Sequence, residues 1–194
     1  MTVTAARPRI VPRDATAADN EALLDLTAAC PMNGDIGLRS DREPDFFTLP
    51  RLEGCAARVA VVDRPDGSLA GCVVAVHRRT YVEGAEREST YVGDLKVHPH
   101  HRGGRIADSL CTWARHAAQD FAGADAPLLI TVLAGNGPME RRIDAARSLP
   151  LFHRFARIRT HSIPFLWGRS SARDVPTGLR VDVARDDDLD EMAS

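Results

Sequence analysis

Between Asp94 and Ala107 the chain reads Asp-Leu-Lys-Val-His-Pro-His-His-Arg-Gly-Gly-Arg-Ile-Ala, and its chemistry concentrates there. Gly103 and Gly104 remove side chains where a helix is about to begin. The first N–H groups of a helix have no acceptor, and its dipole favours an anion. Arg102 and Arg105 flank the glycines, and a guanidinium turned toward a phosphate adds a bidentate contact. Turned inward, Arg105 would block the cradle, and a plain Gly-Gly turn capping a core helix is the competing account. His98, His100 and His101 border the stretch. Their spacing could suit a metal, but a His-Pro-His-His turn beside an anion site reads as a solvated, partly cationic rim, so no metal is assigned.

Three kinds of element must hold this stretch in place. The runs 58–63 and 69–81, joined by Arg64-Pro65-Asp66-Gly67-Ser68, predict a β-hairpin, and a second polar turn, 83–88, leads into a third strand, 89–97. From Ile106 the period becomes helical, with Ile106, Leu110, Trp113, Ala114, Ala117, Ala118 and Phe121 on one face. Gly123 to Pro127 ends that helix, and 128–133 predicts a strand buried on both faces and parallel to the one ending at Val97. Upstream, residues 9–14 read as a first strand, and Thr16 with Asp19 resembles a capping box before a helix that Pro31 ends. Residues 45–52 space Phe46, Leu49 and Leu52 three apart, although Pro50 argues against a helix. Downstream, Gly135-Asn136-Gly137-Pro138 opens a polar helix over 139–148, and 153–167 predicts a last strand or pair of strands.

This element order, with Val97-x-Pro99-x-x-Arg102-Gly103-Gly104-x-Ile106-Ala107, resembles the GNAT superfamily of acetyl-coenzyme A (acetyl-CoA) dependent N-acetyltransferases, over roughly residues 9–167. The resemblance implies an α/β GNAT fold, a mixed central sheet of about six to seven strands with helices on both faces. It also implies a loop that wraps the pyrophosphate of CoA, carried here by Arg102, Gly103, Gly104, Arg105, Ile106 and Ala107. Arg105 stands where the family's motif has its middle glycine. Main-chain groups near Leu95 and Val97 are expected to pair with the pantetheine arm like an added strand, and a backbone N–H at Leu95 to polarise the thioester carbonyl. Asn136 stands where relatives often bind pantetheine, with a turn or helix cap as the alternative. Asp94 is the acid nearest the thioester and a candidate general base; alternation also puts it on one strand face with Lys96, so an ion pair is the rival role. The tyrosine that usually protonates the departing thiolate is missing, since none occurs between Gly135 and Phe152.

The implied activity is acetyl transfer from acetyl-CoA to a small-molecule or peptide amine by direct attack in a ternary complex. The alternative is a non-catalytic acyl-CoA-binding or partner-docking domain. The last strand of such folds often exchanges or pairs across a dimer, which allows a homodimer.

Composition agrees with a soluble protein of one ordinary core: 194 residues, 44% apolar and 27% charged. No run is apolar for long enough to span a membrane, and the N-terminus lacks an apolar signal segment, so the expected compartment is the cytoplasm. Cys30, Cys55, Cys72 and Cys111 lie too far apart for a zinc clip or disulfide framework and read as small core residues. A net charge of −2 and 5% aromatic content argue against nucleic acid, despite an arginine-rich cation set in which Lys96 is the sole lysine. Domain boundaries are read at 1–168, with a linker over 169–178. Residues 179–194 carry two arginines against six acids. They echo the N-terminal spacing of Ala15, Asp19 and Glu21 in Ala184, Asp188 and Asp190, as an acidic tail or the start of a second GNAT-like domain would.

Overall fold

Along β2 (Ala56–Asp63) and β3 (Leu69–Val82), apolar side chains point alternately to opposite faces. Val59, Val61, Cys72, Val74 and Val76 fall in one buried cluster, and Ala60, Val62, Ala70 and Val73 in another. A sheet apolar on both sides must be covered twice. Helix α1 (Asn20–Ala29) covers the first face with Leu23 and Leu26, joined by Cys30 and Phe46. Helix α3 (Ile106–Ala122) covers the second with Ile106, Leu110 and Ala114.

These coordinates are a computed structural model that describes residues 10–31, 41–103, 105–144 and 152–158. The chain divides into two units, Met1–His153 and Arg154–Ser194. Of the second, residues 154–158 are described and contain neither helix nor strand, so the strand expected from His153 does not begin there. Residues 159–167, the linker 169–178 and the acidic segment 179–194 lie outside the described residues.

Five strands form one sheet among the described residues, in the order β1-β2-β3-β4-β5, with β1 at Arg13–Asp14, β4 at Ala85–Val97 and β5 at Leu128–Ile130. All neighbours are antiparallel except β4 and β5, which run parallel through the α3 crossover. The mixed α/β architecture with helices on both faces agrees with the expected fold class. In the β2–β3 turn the Asp66 carboxylate accepts from the Ser68 N–H and hydroxyl, 3.1 and 2.6 Å away. The next turn is tighter than the expected 83–88: Glu83 (φ 54°) and Gly84 (φ 76°) alone reverse the chain, and β4 begins at Ala85. Two successive positive φ values match the right-handed twist of a two-residue hairpin.

The Thr16–Asp19 pairing forms as expected, with the Thr16 N–H donating to the Asp19 carboxylate at 2.7 Å. Pro50 does not prevent helix α2 (Thr48–Leu52), because it lies in the first turn, where its missing N–H would have no intrahelical acceptor. Strand β5 is shorter than expected and half-buried rather than enclosed. Cys30, Cys72 and Cys111 are buried, but Cys55, just before β2, is exposed, against the reading of all four as core.

Candidate functional site

Strand β4 changes neighbours half-way along. Thr90, Tyr91 and Val92 pair with Leu128, Leu129 and Ile130 of β5, and there β5 ends. From Gly93 to Val97, β4 keeps β3 on one edge and has no paired strand on the other among the described residues.

A bulge sits in this half. Val74 opposes Gly93 while Cys72 opposes Lys96, so Asp94 and Leu95 together face Val73. Asp94 adopts φ 49°, a conformation that aspartate tolerates better than most residues. The extra residue reverses the facing pattern. Tyr91 packs on the α1 side and Val92 on the α3 side, so regular alternation would send Asp94 toward α3. Instead Leu95 and Val97 pack with the α3 cluster, and Asp94 turns to the α1 side with Lys96. The Asp94 carboxylate takes Lys96 Nζ on one oxygen and Arg42 Nη2 on the other, with all three side chains largely buried. The expected Asp94–Lys96 pair is therefore present. Arg42 was not expected, and the loop that brings it carries no pattern from which to expect it.

Main-chain groups on the open edge follow from the ladder. The His98 N–H donates to the Ala70 carbonyl of β3, so Val97, one residue earlier, directs its carbonyl to the other edge. There that carbonyl accepts from Arg102 Nε at 3.3 Å and from the Cys30 thiol at 3.5 Å. Burial pushes the Cys30 thiol up, with the nearby Arg102 opposing the shift.

Beyond Val97 a single 3-10 turn, Pro99–His101, redirects the chain into α3. His98 Nδ1 accepts weakly from the His100 N–H at 3.4 Å, and the three histidine rings cluster. Desolvation and then the neighbouring His100 hold the His98 imidazole below its ordinary value. Among the described residues no group of His, Cys, Asp and Glu could hold a metal. Gly103 has φ +78°, and the position of a β-carbon there meets nothing within 4 Å. Gly104 lies outside the described residues. Arg105 is the N-cap of α3 and exposed, with its carbonyl accepting from the Ser109 N–H at 3.0 Å, while Ile106 anchors the helix in the core. The first-turn N–H groups, including that of Ala107, have no preceding turn to accept them. Asn136 takes the cap position before α4 (Gly137–Asp144), its side-chain oxygen accepting from the Met139 N–H at 3.3 Å.

Two hollows lined by described residues bear on the site. One of about 340 Å³, lined by Thr16, Phe47, Pro50 and Arg58 among others, contains none of the motif residues. The other, about 70 Å³, opens directly on the bulge and is lined by Arg42, Glu53, Val74, Tyr91, Gly93 and Asp94. The smaller is the functional candidate, because it adjoins the open half of β4. Of its lining, Glu53 and Tyr91 as well as Arg42 escaped the sequence reading. Alternation away from Val92 was the available signal for Tyr91.

The arrangement is an unpaired strand edge leading by one turn into a glycine-led helix N-terminus. The family model for the acetyltransferase (GNAT) family matches residues 21–141, a span that contains all of these features. The chain belongs to the GNAT acetyltransferase family. No curated protein sequence matches it. Among solved structures, this GNAT chain is similar to an acetyltransferase from Trypanosoma brucei, at 15% identity and a TM-score of 0.56, over 79% of this chain and 100% of that one. It is similar also to an aminoglycoside N-acetyltransferase determined in complex with CoA, at 14% identity and a TM-score of 0.53, over 79% of this chain and 98% of the other. A third similar structure is glucosamine-6-phosphate N-acetyltransferase from Arabidopsis thaliana, at 12% identity and a TM-score of 0.54, over 81% of this chain and 99% of that one. Identities this low establish a shared fold. Among the described residues no helix is long and apolar enough to cross a membrane.

Proposed function

We propose that this GNAT chain transfers an acetyl group from acetyl-CoA to an amine acceptor, by direct attack of the amine in a ternary complex. One observation carries the proposal: β5 leaves β4 after Val92, so among the described residues the edge from Gly93 to Val97 is open, and it leads directly to the N-terminus of α3. An unpaired edge suits an extended chain that contains amides, and a glycine-led helix start suits a diphosphate. CoA combines the two.

Leu95 and Val97 would hold the pantetheine arm through main-chain groups, with the Val97 carbonyl exchanging its present donors, Arg102 Nε and the Cys30 thiol, for an amide of the ligand. Arg102, once released, joins Gly103, Gly104, Arg105, Ile106 and Ala107 around the pyrophosphate. We assign the Leu95 N–H to the thioester oxygen, where a preorganised main-chain donor needs no reorientation. Asn136 would add a contact to pantetheine beside its capping bond. When bound, acetyl-CoA supplies the acetyl group as a thioester.

The acceptor enters on the α1 side of β4, at the small cleft beside Asp94. Asp94 is the nearest acid there, yet both of its oxygens already carry cations. That favours an anchoring role, in which Asp94 holds Lys96 and Arg42 in place, over service as the general base. The second reading, a non-catalytic acyl-CoA-binding domain, draws on the missing tyrosine between Gly135 and Phe152 and on Arg105 in the loop. Thiol release from acetyl-CoA across a panel of amines separates the two. The proposal expects amine-dependent release; CoA binding without turnover on any amine would leave only the second reading.

A further inference from the structure

Tyr91 is placed for chemistry. It lies on β4 three residues before the bulge, on the α1 side, and it lines the small cleft together with Gly93 and Asp94. Its ring extends along the strand toward the bulge. A β-carbon at Gly93 would meet the Tyr91 ring edge (Cε1) at 2.9 Å and its hydroxyl oxygen at 3.6 Å, so the ring occupies the space that any other residue at 93 would fill. The Arg78 guanidinium stacks 4.3 Å from the ring centroid, and Glu53, across the cleft mouth, pairs with Arg78 at 3.3 Å. The ring plane is thus fixed by a cation over its face and by backbone under its edge. None of the hydrogen bonds among the described residues uses the hydroxyl.

From this we infer that the Tyr91 hydroxyl receives the acceptor. It accepts a hydrogen bond from an N–H of the incoming amine and so aims the nitrogen lone pair across the bulge. This inference rests on the acetyl-transfer reading above. It adds a named contact on the acceptor side, and it explains why position 93 is glycine: a side chain there would displace the phenol. Arg78 and Glu53 are positioning residues, acting through the ring.

The chain has two tyrosines, which makes the test direct. Tyr81 is 78% exposed on the β3–β4 hairpin and serves as an internal control. With tyrosine-labelled protein and acetonyl-CoA, an unreactive ketone analogue of acetyl-CoA, nuclear Overhauser contacts should run from the ligand's terminal methyl to the Tyr91 ring and not to Tyr81. Tyr91→Phe keeps the packing and the cation over the ring. It should leave the Kd for CoA within about twofold while lowering kcat/KM for amines such as tyramine, spermidine or glucosamine by about tenfold or more. Gly93→Ala should lower it as well. If the analogue binds but gives no contact to Tyr91, or if Tyr91→Phe matches wild type on an amine that wild type acetylates, the inference is overturned while the acetyl-transfer reading stands. If neither CoA nor the analogue binds to wild type, that reading fails and this one with it.

Discussion

The two halves of β4 are one continuous strand with opposite fates. From Thr90 to Val92 it is flanked by β3 and β5, and Thr90 is almost wholly buried. From Gly93 to Val97 no second strand pairs with it among the described residues, a bulge reverses the facing of the side chains, and the main chain turns one row of polar groups away from β3. The candidate site thus lies where strand pairing is withheld among the described residues. The closed part supplies rigidity, the open part supplies main-chain groups that no second strand uses among the described residues, and helix α3 ties both to one core.

That tie predicts the largest effect. Leu110 is fully buried between α3 and the sheet, so Leu110→Ala should cost about 2–5 kcal/mol in urea unfolding. A cost below about 1 kcal/mol would mean that α3 is not the shared foundation. In the open half, Asp94→Asn should lower acetyl transfer by less than about tenfold and leave CoA affinity unchanged, because Asp94 anchors its neighbours. A loss of a hundredfold or more, the range of a missing general base, would return that role to it. The closed half should tolerate improvement without touching the site. The buried Thr90 hydroxyl has no partner among the described residues, so Thr90→Val should raise stability by about 1 kcal/mol at unchanged CoA affinity. A destabilised Thr90→Val would show that the hydroxyl is satisfied.

The smallest effect lies at the far edge of the sheet and depends on pH. Arg13 holds the Asp19 carboxyl far below the usual carboxylate range through paired hydrogen bonds of 2.7 and 2.9 Å. A carboxyl depressed in the folded state stabilises above its unfolded value and loses that contribution as pH falls toward the folded one. Asp19→Asn should therefore cost about 0.5 kcal/mol at pH 7, and the gap to wild type should narrow below about pH 4. A gap constant from pH 7 to pH 3 would remove the ion pair from the account.

Much of this was legible before any coordinates. The antiparallel run and α3 could be read because a period of two gives way to a period of 3.6 at Ile106. The Asp94–Lys96 pair followed from two residues on one strand face. The bulge was not legible: Asp94 at positive φ leaves no mark in a single sequence. Without the bulge the side of the sheet to which Asp94 and Lys96 turn, the side of Tyr91, could not be assigned. Arg42 comes from a stretch rich in Gly, Asp and Arg with no periodicity that could place it. The tight Glu83-Gly84 turn was hidden by Glu86, Arg87 and Glu88, charged residues that look like loop but lie exposed along a strand. Cys55 was read as core because cysteine usually is.

The central claim is that the open edge and the α3 N-terminus form one CoA site. Calorimetric titration with CoA, comparing wild type with an Arg102→Ala, Gly103→Asp double variant, tests it most directly. The space around Gly103 is empty, and aspartate tolerates its φ of +78° better than most side chains, so the new carboxylate strains the turn less than other residues would and brings a charge that repels an anion. The account predicts that wild type binds CoA and that the double variant binds at least about tenfold more weakly. Equal affinities in the two proteins would contradict it.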